Sequence, residues 1–269
     1  MVIWSVFDLL TPWGLSWTLL LVLSCLTAVQ YLQRPANLPP GPRCWPVIGN
    51  LYSLRKVVVD LFFAGTDTTS TTLQWALLYM ILHPDIQEKV QQEIDSVIGR
   101  NQDPSMMHRA QTPYTAAVLA EVERLATIAP LSLAHTTTED TFLRGYYIPK
   151  GTVVEPNIWA IHHDPQIWTN PNKFDPTRFL DDTGKFVKRD ELIPFSIGRR
   201  ACLGEQLARM ELYLFFSSLL QRFSFKLPEG TSIPSVKGEF GLTHAPKSYN
   251  LVTVPRNQSF VYLCSDTNE

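Results

Sequence analysis

Between Leu9 and Gln33 the chain carries no charged residue, and Leu15 to Leu32 is dominated by apolar side chains. A run of that length predicts a helix able to cross a bilayer. Arg34 and Arg43 follow it while only Asp8 precedes it, so the positive-inside rule places the rest of the chain in the cytosol. A cleaved signal peptide is the competing reading. The positively charged n-region is missing, however, and an uncleaved signal-anchor over residues 1–34 is expected. Leu38-Pro39-Pro40-Gly41-Pro42 makes a stiff extended hinge, and Trp45 to Leu51 enters a folded domain, so residues 35–55 form a connector.

A second apolar stretch, Val57 to about Leu82, predicts one long helix. Pro84 suits the first turn of the next helix, which runs to Gly99, and Thr112-Pro113 opens another. A further apolar helix ends near Phe223. Gly145 to Thr152 predicts a hairpin, and Phe223 to Leu227 and Tyr249 to Val254 predict short strands. Residues 56–256 are thus expected to be mainly α with small β-sheets, ahead of a polar tail at 257–269.

A formal net charge of -2 gives no electrostatic case for nucleic acid. Cys25, Cys44, Cys202 and Cys264 are scattered without a Cys-x-x-Cys pair, which indicates neither a disulfide framework nor a zinc site. His162 and His163 are neighbours whose side chains point apart, so they do not form a two-histidine metal site.

Chemistry concentrates in Phe195-Ser196-Ile197-Gly198-Arg199-Arg200-Ala201-Cys202-Leu203-Gly204. The stretch sets one cysteine in a glycine-framed turn just before a helix, where the helix N-terminus stabilises a thiolate. Such a sulfur is a strong donor to haem iron. Gly198 lets the loop turn, Gly204 lets backbone approach a flat macrocycle, and Arg200 can hold a propionate. A buried inert cysteine is the bland alternative. The pattern Phe-x-x-Gly-x-Arg-x-Cys-x-Gly resembles the haem-thiolate signature of the cytochromes P450, which makes Cys202 the axial metal ligand and Phe195, Gly198, Arg200 and Gly204 cofactor-binding residues.

Other stretches extend the resemblance. Ala64-Gly65-Thr66-Asp67-Thr68-Thr69 puts a glycine and several threonines inside a helix, at a cost of about 1 kcal/mol for the glycine alone. It resembles the family's oxygen-binding groove, which implies that Thr68 hydrogen-bonds iron-bound oxygen, that Asp67 helps deliver protons, and that Ala64 faces substrate. Glu121 and Arg124 share one helix face. Alone they would be a solvated ion pair, but they match the family's Glu-x-x-Arg, and Arg178 in Asp175-Pro176-Thr177-Arg178-Phe179 matches the arginine that completes that structural network. The resemblance also implies that His135, otherwise an ordinary loop histidine, is a second propionate donor, and that Ser132, Leu133, Ala134 and Thr243 touch substrate.

Within the family the sequence is most similar to microsomal family 2, subfamily U. The carrying stretches are Leu78-Tyr79-Met80, Gln111 to Thr115, Arg178 to Asp182 and Gly204 to Leu212. This implies a haem b (iron protoporphyrin IX) monooxygenase of the endoplasmic-reticulum membrane, acting on lipophilic, fatty-acid-like substrates. NADPH-cytochrome P450 reductase would supply its electrons. One departure stands out. The family places roughly 200 residues between the Gly-Asn-Leu segment and the groove helix, whereas here Leu54-Arg55-Lys56 runs straight into Val57. The helices that roof the haem have no counterpart, so Leu61, Phe62, Phe63, Leu73, Trp75 and Leu77 are expected to lack packing partners. That favours the alternative of a membrane-anchored, catalytically silent fragment with a binding or regulatory role or none.

Overall fold

The computed structural model describes residues 51–241 and 243–256, together with Val22 and Ser24, both helical and exposed. Apart from those two positions, the span and connector expected before residue 51 lie outside the described residues, as does the polar tail from 257. Among the described residues no helix is long and apolar enough to cross a membrane. The chain divides into two units, Met1–Ala64 and Gly65–Glu269.

Helix α1 spans Leu51–Leu82. It starts ahead of the Val57 expected from the apolar pattern, because Leu51 to Lys56 contains neither glycine nor proline to stop it. Its end is set by Pro84, whose ring disfavours helical geometry at the preceding residue; His83 leaves the helix at φ -128°, ψ 71°. Helix α2, Pro84–Val97, starts on that proline and buries Ile86, Gln87, Val90, Gln91 and Ile94 along one face. Gly99 closes it at φ +76°, the left-handed stop that glycine adopts without strain. Helix α3, Pro113–Ala126, ends at Thr127 in the left-handed region. A short helix α4, Ile158–His162, follows, and α5 spans Glu205–Arg222.

In the second unit the C-terminal part of α1 packs with α2, α3 and α5 around Trp75, Leu78, Met80, Val90, Ile94, Val118, Val122, Tyr213 and Phe216. A smaller apolar cluster of Ala117, Ala120, Trp168 and Phe179 seats the loop after α4 against α3. The strands pair as short antiparallel ribbons: β1 (His135–Thr136) with β4 (Val153–Val154), β2 (Thr141–Leu143) with β3 (Tyr146–Ile148), β5 (Phe223–Lys226) with β8 (Val252–Pro255), and β6 (Glu239–Phe240) with β7 (His244–Ala245). Gln87 fastens β5 to the helices: its amide donates to Met80 and Phe225 carbonyls at 3.0 Å, and its oxygen accepts the Phe225 N–H at 2.7 Å.

Two expectations are corrected. The segment 145–152 is not itself a hairpin. Arg144 and Gly145, at φ 50° and 85°, form the two-residue turn that folds β3 back on β2, and β4 pairs with β1 instead. Nor does Trp75 lose its partners. It is 1% exposed, its indole N–H donates to the His244 carbonyl at 2.9 Å, and its ring lies 5.2 Å from the His244 ring. The β6–β7 hairpin, too short to leave an alternating pattern, covers it. Leu73 and Leu77 are partly buried against the same core. In the first unit, Leu61, Phe62 and Phe63 are exposed, Phe62 at 74%.

Candidate functional site

The cysteine loop is shaped by two left-handed residues, Ser196 at φ 62° and Gly198 at φ 78°. Just ahead of them the backbone turns at Pro194–Phe195, with the Ser196 N–H donating to the Ile193 carbonyl at 3.0 Å, and a 3-10 turn follows at Gly198–Arg200. The loop is closed by the Cys202 N–H, which donates to the Phe195 carbonyl at 2.9 Å. This leaves the Cys202 thiol exposed and free, three residues ahead of an α5 N-terminus that no side chain caps. Gly204 has an ordinary backbone, and an added Cβ there would meet only the Cys202 sulfur, at 3.9 Å.

Arg209, which sequence reasoning did not single out, braces the loop. Its guanidinium lies 4.8 Å over the Phe195 ring and pairs with Glu205 at 2.9 Å and Glu123 at 3.1 Å. Glu205 is its i, i+4 neighbour on one helix, whereas Glu123, on another helix, leaves no local signal in the sequence. Burial pushes the Glu123 carboxyl above its ordinary value, against the opposing pull of Arg209.

Helix α1 runs unbroken through the glycine and threonines. Thr72 Oγ1 donates to the Thr68 carbonyl at 2.9 Å, and Ser70 Oγ to the Asp67 carbonyl at 3.1 Å. These satisfy hydroxyls that would otherwise compete with the helix. Asp67 Oδ2 accepts a hydrogen bond from Thr243 Oγ1 at 3.0 Å, so the structure brings those two residues together. Thr68, Thr69 and Thr72 line a cleft with Glu123, Ile128, Pro194, Phe195, Ala208 and Leu212, about 30 Å³ in volume, the space of one or two waters. Thr68 and Phe195, widely separated in sequence, therefore share one cavity. Ala64, Leu133 and Ala134 are exposed and Ser132 and His135 half-buried, and none of them lines that cleft.

Glu121 and Arg124 are both fully buried and meet in a fork, with Arg124 Nε donating to Oε2 and Nη2 to Oε1, each at 2.8 Å. Arg178 Nε reaches Glu121 Oε1 at 3.3 Å, where the Asp175 N–H also donates at 2.9 Å. Arg124 Nη1 donates to the His162 carbonyl at 2.7 Å, and the guanidinium lies 5.2 Å from the Trp168 ring centre. Every oxygen of this carboxylate is satisfied, which is what makes a buried charge tolerable. Of the adjacent histidines, His162 is buried and His163 stacks on Trp159 at 4.3 Å.

A cysteine loop facing a threonine-rich helix across such a cleft is the arrangement of a haem-thiolate protein. The Cytochrome P450 family model matches residues 50–253, and the chain belongs to that family. It is 54% identical to human cytochrome P450 2U1 over 203 residues, 76% of this chain and 37% of that protein. Against bovine cytochrome P450 2D14 the identity is 55% over 204 residues, 76% of this chain and 41% of that protein. A zebrafish cytochrome P450 solved with abiraterone superposes with a TM-score of 0.69 at 43% identity, covering 74% of this chain and 46% of that one. The chain thus spans about two fifths of the length of the curated relatives it matches.

The family's group is haem, and the residues present suit it. The site offers one exposed soft sulfur donor for iron. Leu203, Leu207 and Met210 form an exposed apolar stripe beside it, surface that a flat hydrophobic macrocycle would cover. Among the described residues no side chain pairs with Arg200 or His135, and both carry donors suited to a propionate.

Proposed function

We propose that Cys202 would ligate the iron of a haem b and that the chain is a haem-thiolate protein of the monooxygenase type. The observation that carries this is the exposed Cys202 thiol on a backbone-closed loop whose Phe195 lines one cleft with Thr68. Haem, when bound, would supply the oxidative chemistry, insertion of one atom of dioxygen into a C–H bond. Gly198 holds the loop turned, and Gly204 leaves room beside the sulfur. Arg200 and His135 would anchor the propionates by charge-assisted hydrogen bonds. From the facing helix Thr68 would offer a hydroxyl donor and Asp67 a carboxylate able to relay a proton. In this structure Thr243 Oγ1 donates to Asp67 Oδ2 at 3.0 Å, which helps hold that carboxylate in place.

Similarity to cytochrome P450 2U1 supports a lipophilic, fatty-acid-like substrate near Ala64, Ser132, Leu133, Ala134 and Thr243. It equally supports NADPH-cytochrome P450 reductase as electron donor. The apolar span in residues 1–34 supports an endoplasmic-reticulum anchor, with 56–256 as the cytosolic haem-binding part. A second reading, a membrane-anchored chain that does not turn over, is favoured by the exposure of Leu61, Phe62 and Phe63. Titrating the purified full chain with haem tests the binding claim. Saturation at one haem per chain is expected, and no saturable binding would contradict it.

A further inference from the structure

We infer that His162 is a positioning residue for the cysteine loop, coupling the buried Glu121–Arg124 pair to the Cys202 backbone. His162 is fully buried at the end of α4. Its Nε2 lies 3.0 Å from the Ile193 backbone nitrogen. A backbone N–H can only donate, so Nε2 accepts and the ring proton resides on Nδ1. Nδ1–H then donates to Thr127 Oγ1 at 3.0 Å, and that hydroxyl donates to the Arg124 carbonyl at 2.5 Å. Arg124 in turn holds the His162 carbonyl through Nη1 at 2.7 Å.

From Ile193 the linkage continues along the backbone. The Ile193 carbonyl accepts the Ser196 N–H that closes the Pro194–Phe195 turn, and the Phe195 carbonyl accepts the Cys202 N–H that closes the loop. The neutral imidazole accepts at Nε2 and donates at Nδ1, so one side chain joins the Ile193 amide to the Thr127 hydroxyl, and an apolar residue there would do neither. Burial, reinforced by the charges of His163 and Arg124, pushes its pKa down to about 3, and the neutral form required by this geometry persists across physiological pH. The inference deepens the haem-thiolate reading, yet it concerns backbone geometry that exists whether or not haem binds.

Amide hydrogen exchange on the full chain without haem therefore tests it separately. In His162→Leu, the Ile193 and Cys202 amides should exchange on the order of tenfold faster, the effect of losing one net hydrogen bond, while α3 amides such as Val122 stay as they were. His162→Gln, which keeps a donor and an acceptor, should restore part of the protection. With haem added, His162→Leu should also lower the fraction of protein giving the thiolate-type reduced carbon monoxide band. Uniform acceleration over the whole chain would overturn the assignment, as would a Cys202 amide unaffected by the loss of His162. Should His162→Leu fail to fold, the same comparison on His162→Gln and Thr127→Val decides. The Cys202 amide must again exchange faster than those of α3, and equal exchange overturns the role.

Discussion

The residues that hold this site together are not those that would do chemistry in it. Glu121 is fully buried, and it is tolerated there because Arg124, Arg178 and the Asp175 N–H satisfy its oxygens. Removing one partner of such a pair leaves the other charge buried and alone, at a cost of about 3–5 kcal/mol. Glu121→Gln is therefore expected to lower the urea midpoint sharply or to prevent folding; a midpoint within error of the parent would contradict the picture. His162 gives a pH dependence of definite sign. Its folded-state pKa is depressed from 6.5 to about 3, so below pH ~6.5 the unfolded chain takes up a proton that the folded one refuses. Its contribution is intact above that pH and shrinks by up to about 1.4 kcal/mol per unit as pH falls towards 3. Urea midpoints measured from pH 7.5 down to 5 should fall less in His162→Gln than in the parent, and identical slopes would count against it.

At the scale of elements, glycines separate two demands on the cysteine loop. Gly198 sits at φ 78°, where a Cβ costs about 1–2 kcal/mol, so Gly198→Ala should lower the melting temperature of the haem-free chain. Gly204 has room for a Cβ. Gly204→Ala should therefore leave that melt within about 0.5 kcal/mol and weaken haem binding instead, which a haem titration of both variants measures. Helix positions were legible in the sequence because proline and glycine mark their ends: Pro84, Pro113 and Gly99 all fall at or next to boundaries in the structure. The Glu121–Arg124 spacing showed in one helical turn. What sequence could not show are contacts between distant segments with no local pattern. Glu123 with Arg209, Thr243 with Asp67 and His162 with Ile193 are of this kind. The two-residue strands of β6 and β7 are too short to alternate, and so the cover over Trp75 went unforeseen.

For the whole molecule, burial differs between the two units. The helical core of the second unit is well buried down to Trp75, better covered than the sequence alone implies. Upstream, Val57, Val58, Val59, Leu61, Phe62 and Phe63 remain exposed on α1, and each large apolar side chain left in water forgoes about 1.5–3 kcal/mol. In the second unit Cys202, Leu203 and Leu207 are exposed, so a haem held there would be open to water, and excluding water is what keeps oxidising equivalents from being lost. Expressed with reductase and NADPH beside a full-length relative, the chain should hydroxylate fatty acids far more slowly. Comparable turnover that disappears in Cys202→Ser would show that the exposed face does not limit catalysis.

Binding comes before turnover, and the thiolate–iron bond is the step on which everything else rests. The reduced, carbon monoxide difference spectrum of the purified full chain reads that bond directly, because its red-shifted band requires haem and a cysteine thiolate together. The account predicts this band in the parent and in Cys44→Ser and Cys264→Ser, and its loss in Cys202→Ser. A band unchanged in Cys202→Ser, or absent from a parent chain that has bound haem, would contradict it.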